Sequence, residues 1–197
     1  MQNRIINIGR QFGSGGRKIA SIISESLGIR VYDREILLQA ARDSGLSSDF
    51  FDGFDEKRRL WGLGGIFGSG ADSAFNDAEL FRVQSEAIRH IASEGDAIFV
   101  GRASNYVLRD MRCLDVFVSA PEQIRAERVS QREGISLESA LEMLRKKDRG
   151  RAKFYNFFTL GEWGKASEYD LCLDSSVLGI EESSRFIIDF GKKMGVL

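Results

Sequence analysis

The sequence predicts an α/β fold of three layers, a parallel β-sheet covered by helices on both faces. Three observations carry that expectation. Short apolar runs recur at Arg4 to Ile8, Ala97 to Val100 and Leu114 to Val118, as in strands buried on both sides. Between them lie longer segments with apolar residues at helical spacing, and strands that alternate with helices build parallel sheets. The first run also ends in a glycine-rich turn, Gly13-Ser14-Gly15-Gly16, that leads straight into a helical pattern.

The elements follow in order. After the turn, Ile19, Ile22, Ile23 and Leu27 mark one face of a helix that Gly28 stops. A second strand, Ile29 to Tyr32, reaches Asp33, an N-cap for a helix beginning near Arg34. Residues 45–75 are rich in Gly, Phe and Asp and have no long period. They read as an insertion with short helical pieces, whose apolar residues need cover. Asn76 or Asp77 then caps a helix to Glu94, with Leu80, Phe81, Ala87, Ile88 and Ile91 inward. Ala97 to Val100 is a strand ending at Gly101-Arg102, and Leu114 to Val118 is another. Pro121 suits a helix start, and helices are expected over 121–132 and 136–149, the second capped by Ser136. The basic run from Arg145 to Lys153 leads into an aromatic stretch, FYNFFTLGEW, expected to be a loop. Asp170 to Leu173 is the last strand and Glu181 to Met194 the last helix.

Bulk properties narrow the function classes. The 197 residues suit one domain, and 28 basic against 29 acidic residues give a net charge of -1. No whole-molecule field favours nucleic acid or an anionic membrane, so an anion site must be a local arginine cluster. No apolar run has the length of a signal peptide or a membrane span, and the expected location is the cytoplasm. Cys113 and Cys172 fall in or beside apolar runs and read as reduced core thiols. His90, the single histidine, reads as a surface or half-buried helix residue rather than a catalytic base.

The glycine turn is the strongest chemical signal. A loop that wraps phosphate needs inward backbone N–H groups and no side chains in the way, and the following helix adds its positive end. The turn departs from G-x-x-x-x-G-K-[ST]. With Gly15 as the second glycine, Gly16 stands at the lysine and Arg10 at the first glycine. With Gly16 there, Arg17 replaces the lysine, Lys18 the hydroxyl residue and Gln11 the first glycine. Both registers lack the hydroxyl that would hold Mg²⁺, leaving phosphates, water or a carboxylate to do so. Further on, Arg145 to Lys153 concentrates positive charge beside Phe154, Tyr155, Phe157, Phe158 and Trp163, which suits a cover over a phosphate site. Arg128 and Arg132 lie one turn apart on the preceding helix and can reach one ligand, with ion pairs to neighbouring glutamates as the plain alternative.

Taken in order, RQFGSGGRKIA, YDREI, FVGRASNYVL, KKDRGRAKFYNFFT, GEWG and YDLCLDSS make the chain similar to the cytidylate kinase-like family over nearly its whole length. The resemblance implies a P-loop nucleoside monophosphate kinase fold with a five-stranded sheet in the order 2-3-1-4-5. It also implies a single domain over 1–197 with a substrate-binding insert at about 45–75 and an arginine-bearing lid at about 150–168. Gly13, Ser14, Gly15, Gly16 and Arg17 match the phosphate loop, and Arg17 or Lys18 is its candidate cation. Asp33 matches an acidic residue near the acceptor, Arg102 an arginine that holds the acceptor phosphate, and Arg149 and Arg151 lid arginines around the transferring phosphate. Ala103 and Gly150 stand where cytidylate kinases carry aspartates that read cytosine and hold ribose, and Lys146 and Lys153 stand for two further lid arginines. The expected function is transfer of the ATP γ-phosphate to a nucleoside monophosphate or other small acceptor. Mg²⁺ would be held through phosphates and water, with no protein metal site, nucleic acid or membrane involved. The alternative is a non-catalytic sensor that binds a nucleotide or phosphate ligand.

Overall fold

The computed structural model describes residues 3–43 and 70–197. Five strands, β1 (Ile5–Arg10), β2 (Val31–Tyr32), β3 (Ala97–Val100), β4 (Leu114–Ser119) and β5 (Leu171–Asp174), form one sheet in the order β2-β3-β1-β4-β5. Every neighbouring pair is parallel, and central β1 sets Ile6 between Ile98 and Leu114. The order is the one the family resemblance implies. The helices are α1 (Gly16–Leu27), α2 (Arg34–Asp43), α3 (Gly70–Glu94), α4 (Ser104–Val107), α5 (Glu122–Glu133), α6 (Leu137–Thr159) and α7 (Ser175–Met194).

Side chains alternate across β1, and the core divides accordingly. Ile6 and Ile8 meet Ile19 and Ile23 of α1 and Ile187 and Ile188 of α7. Ile5 faces the other way, with Phe99, Leu37 of α2 and Ile88 of α3. A third cluster joins Ala126 and Val129 of α5 to Ala140 and Leu144 of α6, with Phe12 at its edge. Each large apolar side chain buried this way contributes roughly 1.5–3 kcal/mol. The carboxyl ends of the strands, where the functional loops start, therefore sit on a firmly packed base.

Some elements differ from the sequence expectation. Helix α6 continues to Thr159, into the first six residues of the stretch expected to be an aromatic loop. Gly150 costs about 1 kcal/mol there relative to alanine, but packing offsets it. Phe154 and Phe158 lie one turn apart and meet Phe81 of α3 at ring-centroid distances of 5.8 and 4.3 Å. Helix α3 begins at Gly70; the rest of the expected insert, up to residue 69, lies outside the described residues. Helix α7 begins at Ser175, where the Asp174 carboxylate accepts the Ser176 N–H at 2.8 Å, and a break at Gly179 separates this first turn from the helix expected at Glu181. Cys172 is not a core thiol: it is exposed because β5 is an edge strand, while Cys113 is half-buried and both are free. His90 is exposed on α3. Among the described residues no helix is long and apolar enough to cross a membrane.

Candidate phosphate-binding site

The loop between β1 and α1 is built by alternating backbone hands. Gly13 and Gly15 have φ of 78° and 85°, and Ser14 between them keeps the ordinary sign. Alternation of this kind is the backbone pattern of anion-binding concavities, and here the Ser14 N–H donates to the Gln11 carbonyl at 3.3 Å. Gly15 caps α1 without a side-chain hydrogen bond, so the first-turn amides keep no intrahelical acceptor and the positive helix end faces the loop. The Ser14 carbonyl turns outward, where it accepts from Arg128 Nη1 at 3.3 Å and from the Ser175 hydroxyl. Because α1 opens at Gly16, Gly15 takes the second glycine position of the phosphate-loop pattern. Gly16 then stands at the lysine position and Arg10 at the first glycine position.

Three arginines from three elements meet beside this loop. Arg10 ends β1 half-buried; desolvation first, then the nearby charges of Arg151 and Arg102, lower its pKa from 12.5 to about 9, with Asp33 opposing them. Among the described residues Arg10 makes no salt bridge. Clustered like charge of this kind is costly until an anion joins it. Arg102 follows β3 in a left-handed run, with φ of 76° at Gly101, 63° at Arg102 and 54° at Ala103. Such a conformation costs on the order of 1–3 kcal/mol at each non-glycine residue. Arg102 is aimed by Nε donation to Gln84 Oε1 at 2.7 Å and by the Phe154 ring, 3.8 Å from its Cζ.

Arg151, on α6, donates from Nη1 to the Arg10 carbonyl at 2.9 Å. One turn earlier, Asp148 binds α6 to the loop. Its Oδ1 accepts the Phe12 N–H at 2.7 Å, and its Oδ2 pairs with buried Arg125 at 2.6 Å. Arg125 Nη1 also donates to the Phe12 carbonyl at 3.0 Å. The loop, α5 and α6 are thus tied at one carboxylate.

A cavity of about 720 Å³ opens over the arginines. Arg10, Arg34, Arg102, Lys147, Arg151 and Lys153 line it, and among the described residues no Asp or Glu does. Phe154, Phe157, Phe158 and Trp163 supply an aromatic wall, and Ala103 and Gly150 lie on the same lining. The arrangement suits an anionic ligand with a flat or apolar portion.

The other sequence candidates lie outside this cavity. The Arg17 side chain is 75% exposed and pairs with Asp33 at 2.8 Å, while Lys18 leans toward Glu181 at 3.7 Å, so neither turns into the loop. Asp33 caps α2, accepting the amides of Glu35 and Ile36 at 3.1 and 3.2 Å. Arg149 is exposed and is not on the cavity wall. Residues two apart on a helix face different ways, which separates it from Arg151 and corrects the expectation that both reach one cleft. Arg128 braces the back of the loop, and Arg132 pairs with Glu133 at 2.9 Å. Sequence reasoning passed over Arg10, Arg125 and Asp148. Arg10 had a usable signal, since it ends a strand at the loop edge as Arg102 does. Asp148 had none without the packing of α6 on α5.

For a divalent ion the side chains offer little. Among the described residues no group of three or more His, Cys, Asp or Glu is placed to hold a metal. Arg17 occupies the position after Gly16 where a hydroxyl would stand.

The family model described as cytidylate kinase-like family matches residues 5–177. The chain belongs to the cytidylate kinase-like family. The cytidylate kinase of Methanopyrus kandleri is 30% identical to this family member over 182 residues, covering 87% of the chain and 84% of that protein. The cytidylate kinase of Methanocaldococcus jannaschii is 28% identical over 181 residues, covering 90% and 91%. Among solved structures, an uncharacterized protein from Eubacterium ventriosum superposes with a TM-score of 0.70 at 25% identity, covering 94% of this chain and 96% of that one. Shikimate kinase from Acinetobacter baumannii, in complex with shikimate, gives 0.53 at 12% identity, covering 96% and 93%, a likeness of fold alone.

Proposed function

We propose that this cytidylate kinase-like protein transfers the γ-phosphate of ATP to a small acceptor that already carries a phosphate, a nucleoside monophosphate by class. The observation that carries the reading is the cavity beside the glycine loop, with six cationic side chains and, among the described residues, no carboxylate on its lining. Phosphoryl transfer needs alignment and positive charge around the moving group more than covalent help from the protein. An acceptor phosphate supplies an oxygen that is already anionic, so no general base is required. An alcohol acceptor would call for a carboxylate, and Asp33, the residue matched to the acceptor side, is engaged by Arg17 and two α2 amides. Mg²⁺, held by phosphates and water, would contribute charge neutralisation when bound.

The nucleoside portion is read loosely in this proposal. Ala103 and Gly150 present no polar side chain to a base or ribose, and the aromatic wall offers stacking, which every base satisfies. Apolar pockets discriminate related ligands by only about 10–200-fold, far less than pockets that hydrogen-bond them. The sensor reading gains support from Arg17 and Lys18 lying outside the loop, and the cluster of Arg10, Arg102 and Arg151 argues for transfer.

The test is ADP release from ATP with CMP, dCMP, UMP and AMP as phosphate-bearing acceptors, and shikimate and gluconate as hydroxyl acceptors. The expected result is turnover with one or more monophosphates, spread over less than about 100-fold between bases, and none with the alcohols. Turnover confined to an alcohol would overturn the acceptor class. ATP binding without turnover of any acceptor would favour the sensor.

A further inference from the structure

Gly16 leaves the lysine position of the loop without a side chain, yet the space beside it is filled. A Cβ built on Gly16 would lie 2.7 Å from Arg10 Cβ and 3.1 Å from Arg10 Cγ. Contacts under about 3 Å do not occur between real side chains, so a lysine at 16 and an arginine at 10 exclude each other. The other end of Arg10 is placed the same way. A Cβ on Gly101 would collide with Arg10 Nη1 and lie 2.9 Å from its Cζ. The stem of Arg10 therefore crosses the first residue of α1, and its guanidinium rests over the end of β3 on the cavity lining. It spans from the donor-phosphate loop to Arg102, the arginine on the acceptor side.

We propose that Arg10 is a catalytic residue that supplies from the first glycine position the cation a phosphate loop takes from its lysine, with its guanidinium on the phosphoryl group in transfer. This rests on the kinase reading above. In the step, an anionic oxygen of the acceptor phosphate forms a bond to the γ-phosphorus, and the bond from that phosphorus to the β,γ-bridging oxygen breaks. The electron pair leaves on the donor diphosphate, and no proton moves. Negative charge shifts toward the bridging oxygen, and a planar guanidinium with several N–H donors can hold two phosphate oxygens at once. Three facts favour this over a structural arginine. The guanidinium makes no salt bridge among the described residues, Asp33 acting on it only from beyond that distance, it lines the cavity, and glycines stand at the two positions where a side chain would displace it.

The experiment measures binding of ATP and ADP by calorimetry on the full chain, so that preference for the γ-phosphate is read separately from turnover. The proteins are wild type, Arg10→Met, Arg10→Gly, Gly16→Lys, and the double variant Arg10→Gly with Gly16→Lys. Circular dichroism and melting temperature report folding. Wild type should favour ATP over ADP. Arg10→Met keeps the stem and removes the charge, and it should lose about 10-fold or more of that preference, as loss of a charge-assisted bond to phosphate implies. Arg10→Gly should lose it too, and the double variant should recover at least half of it on a logarithmic scale, because the lysine then occupies the cleared space. Gly16→Lys alone should not improve on wild type. If wild type prefers ATP and Arg10→Met keeps the preference, Arg10 is not the γ-phosphate cation, while the kinase reading stands. Failure of the double variant to recover, with its fold intact, would overturn the exchange of positions. If wild type binds neither nucleotide, the kinase reading and this proposal fall together.

Discussion

Replacing Arg10 with methionine should stabilise the protein without ligand and weaken its binding of phosphates. Burial beside Arg151 and Arg102 lowers the Arg10 pKa from 12.5 to about 9. At roughly 1.4 kcal/mol per pKa unit, holding the charge there opposes folding by at most about 5 kcal/mol. Movement of the long side chain toward solvent and screening by the polar cavity relieve much of this, so the expected gain from Arg10→Met at pH 7 is about 1–3 kcal/mol. That corresponds to a rise of about 3–10 °C in Tm for a domain of this size. The sign follows from linkage: the folded form releases this proton at lower pH than the unfolded form does. The penalty is therefore complete below about pH 9 and fades as pH rises toward 12.5. The advantage of Arg10→Met should accordingly shrink between pH 8 and about pH 10. Urea melts at the two pH values, each with and without millimolar ATP, make the assay. ATP should raise the midpoint of wild type more than that of the variant. Loss of stability in Arg10→Met at pH 7, or an equal ATP effect on both proteins, would refute the reasoning.

The remaining predictions concern the frame around the site. Asp148→Ala leaves the Arg125 guanidinium buried without its 2.6 Å partner and the Phe12 N–H without its acceptor, and should cost about 3–5 kcal/mol in chemical denaturation. With an acceptor identified by the ADP-release screen, Arg151→Ala should lower kcat/KM by about 100-fold or more, as loss of a transition-state cation does, whereas exposed Arg149→Ala should change it by less than about 3-fold. Comparable losses from the two would mean that α6 turns on closing. Asp115 is raised from 3.8 to about 6, chiefly by burial, while the Asn7 amide at 2.7 Å opposes the shift. The folded form therefore holds this proton more tightly, and stability should fall as pH rises between about 4 and 6. Asp115→Asn should remove that slope and add roughly 1–2 kcal/mol at pH 7, and an unchanged slope in urea melts would reject the assignment.

Much of the frame was legible in the sequence because local chemistry fixes it. Ile6 and Ile8 are apolar where the strand is buried on both faces, Ser136 caps α6 through the Ser139 N–H, and Asp33 caps α2. The strand order came from resemblance, since pairing of strands distant in sequence leaves no local trace. The longer α6 was concealed by Gly150 and by an aromatic-rich composition that suggests a loop. Its spacing of Phe154 and Phe158 was helical, and only the meeting with Phe81 explains why the helix persists. Within the site, Arg102 was found because it ends a strand. Arg10 ends a strand too, but comparison with a motif made it look like a misfit. Arg17 and Lys18 looked suitable because they are cations at the right sequence distance, and the helix start at Gly16 carries both onto the outer surface of α1.

The phosphate-loop pattern describes positions along a chain, while a phosphate responds to where charge lies in space. A cation beside the first turn of a helix can stem from that turn or from the end of the strand before it, because the two backbones pass close together. Arg10 Cβ would be within 2.7 Å of a Cβ on Gly16, so the two stems would start from nearly the same point. At that separation only one can be present, and glycine at the other position is a requirement of the arrangement. The same residues that break the sequence pattern are then the ones that preserve its electrostatics, and the missing lysine by itself says nothing about lost activity. The hydroxyl is a different matter. Arg17 stands where the hydroxyl would, and among the described residues no group of three or more His, Cys, Asp or Glu gathers to hold a metal. That separates the two departures from the pattern: the charge of the lysine has its counterpart in Arg10, whereas the hydroxyl position holds another cation, Arg17.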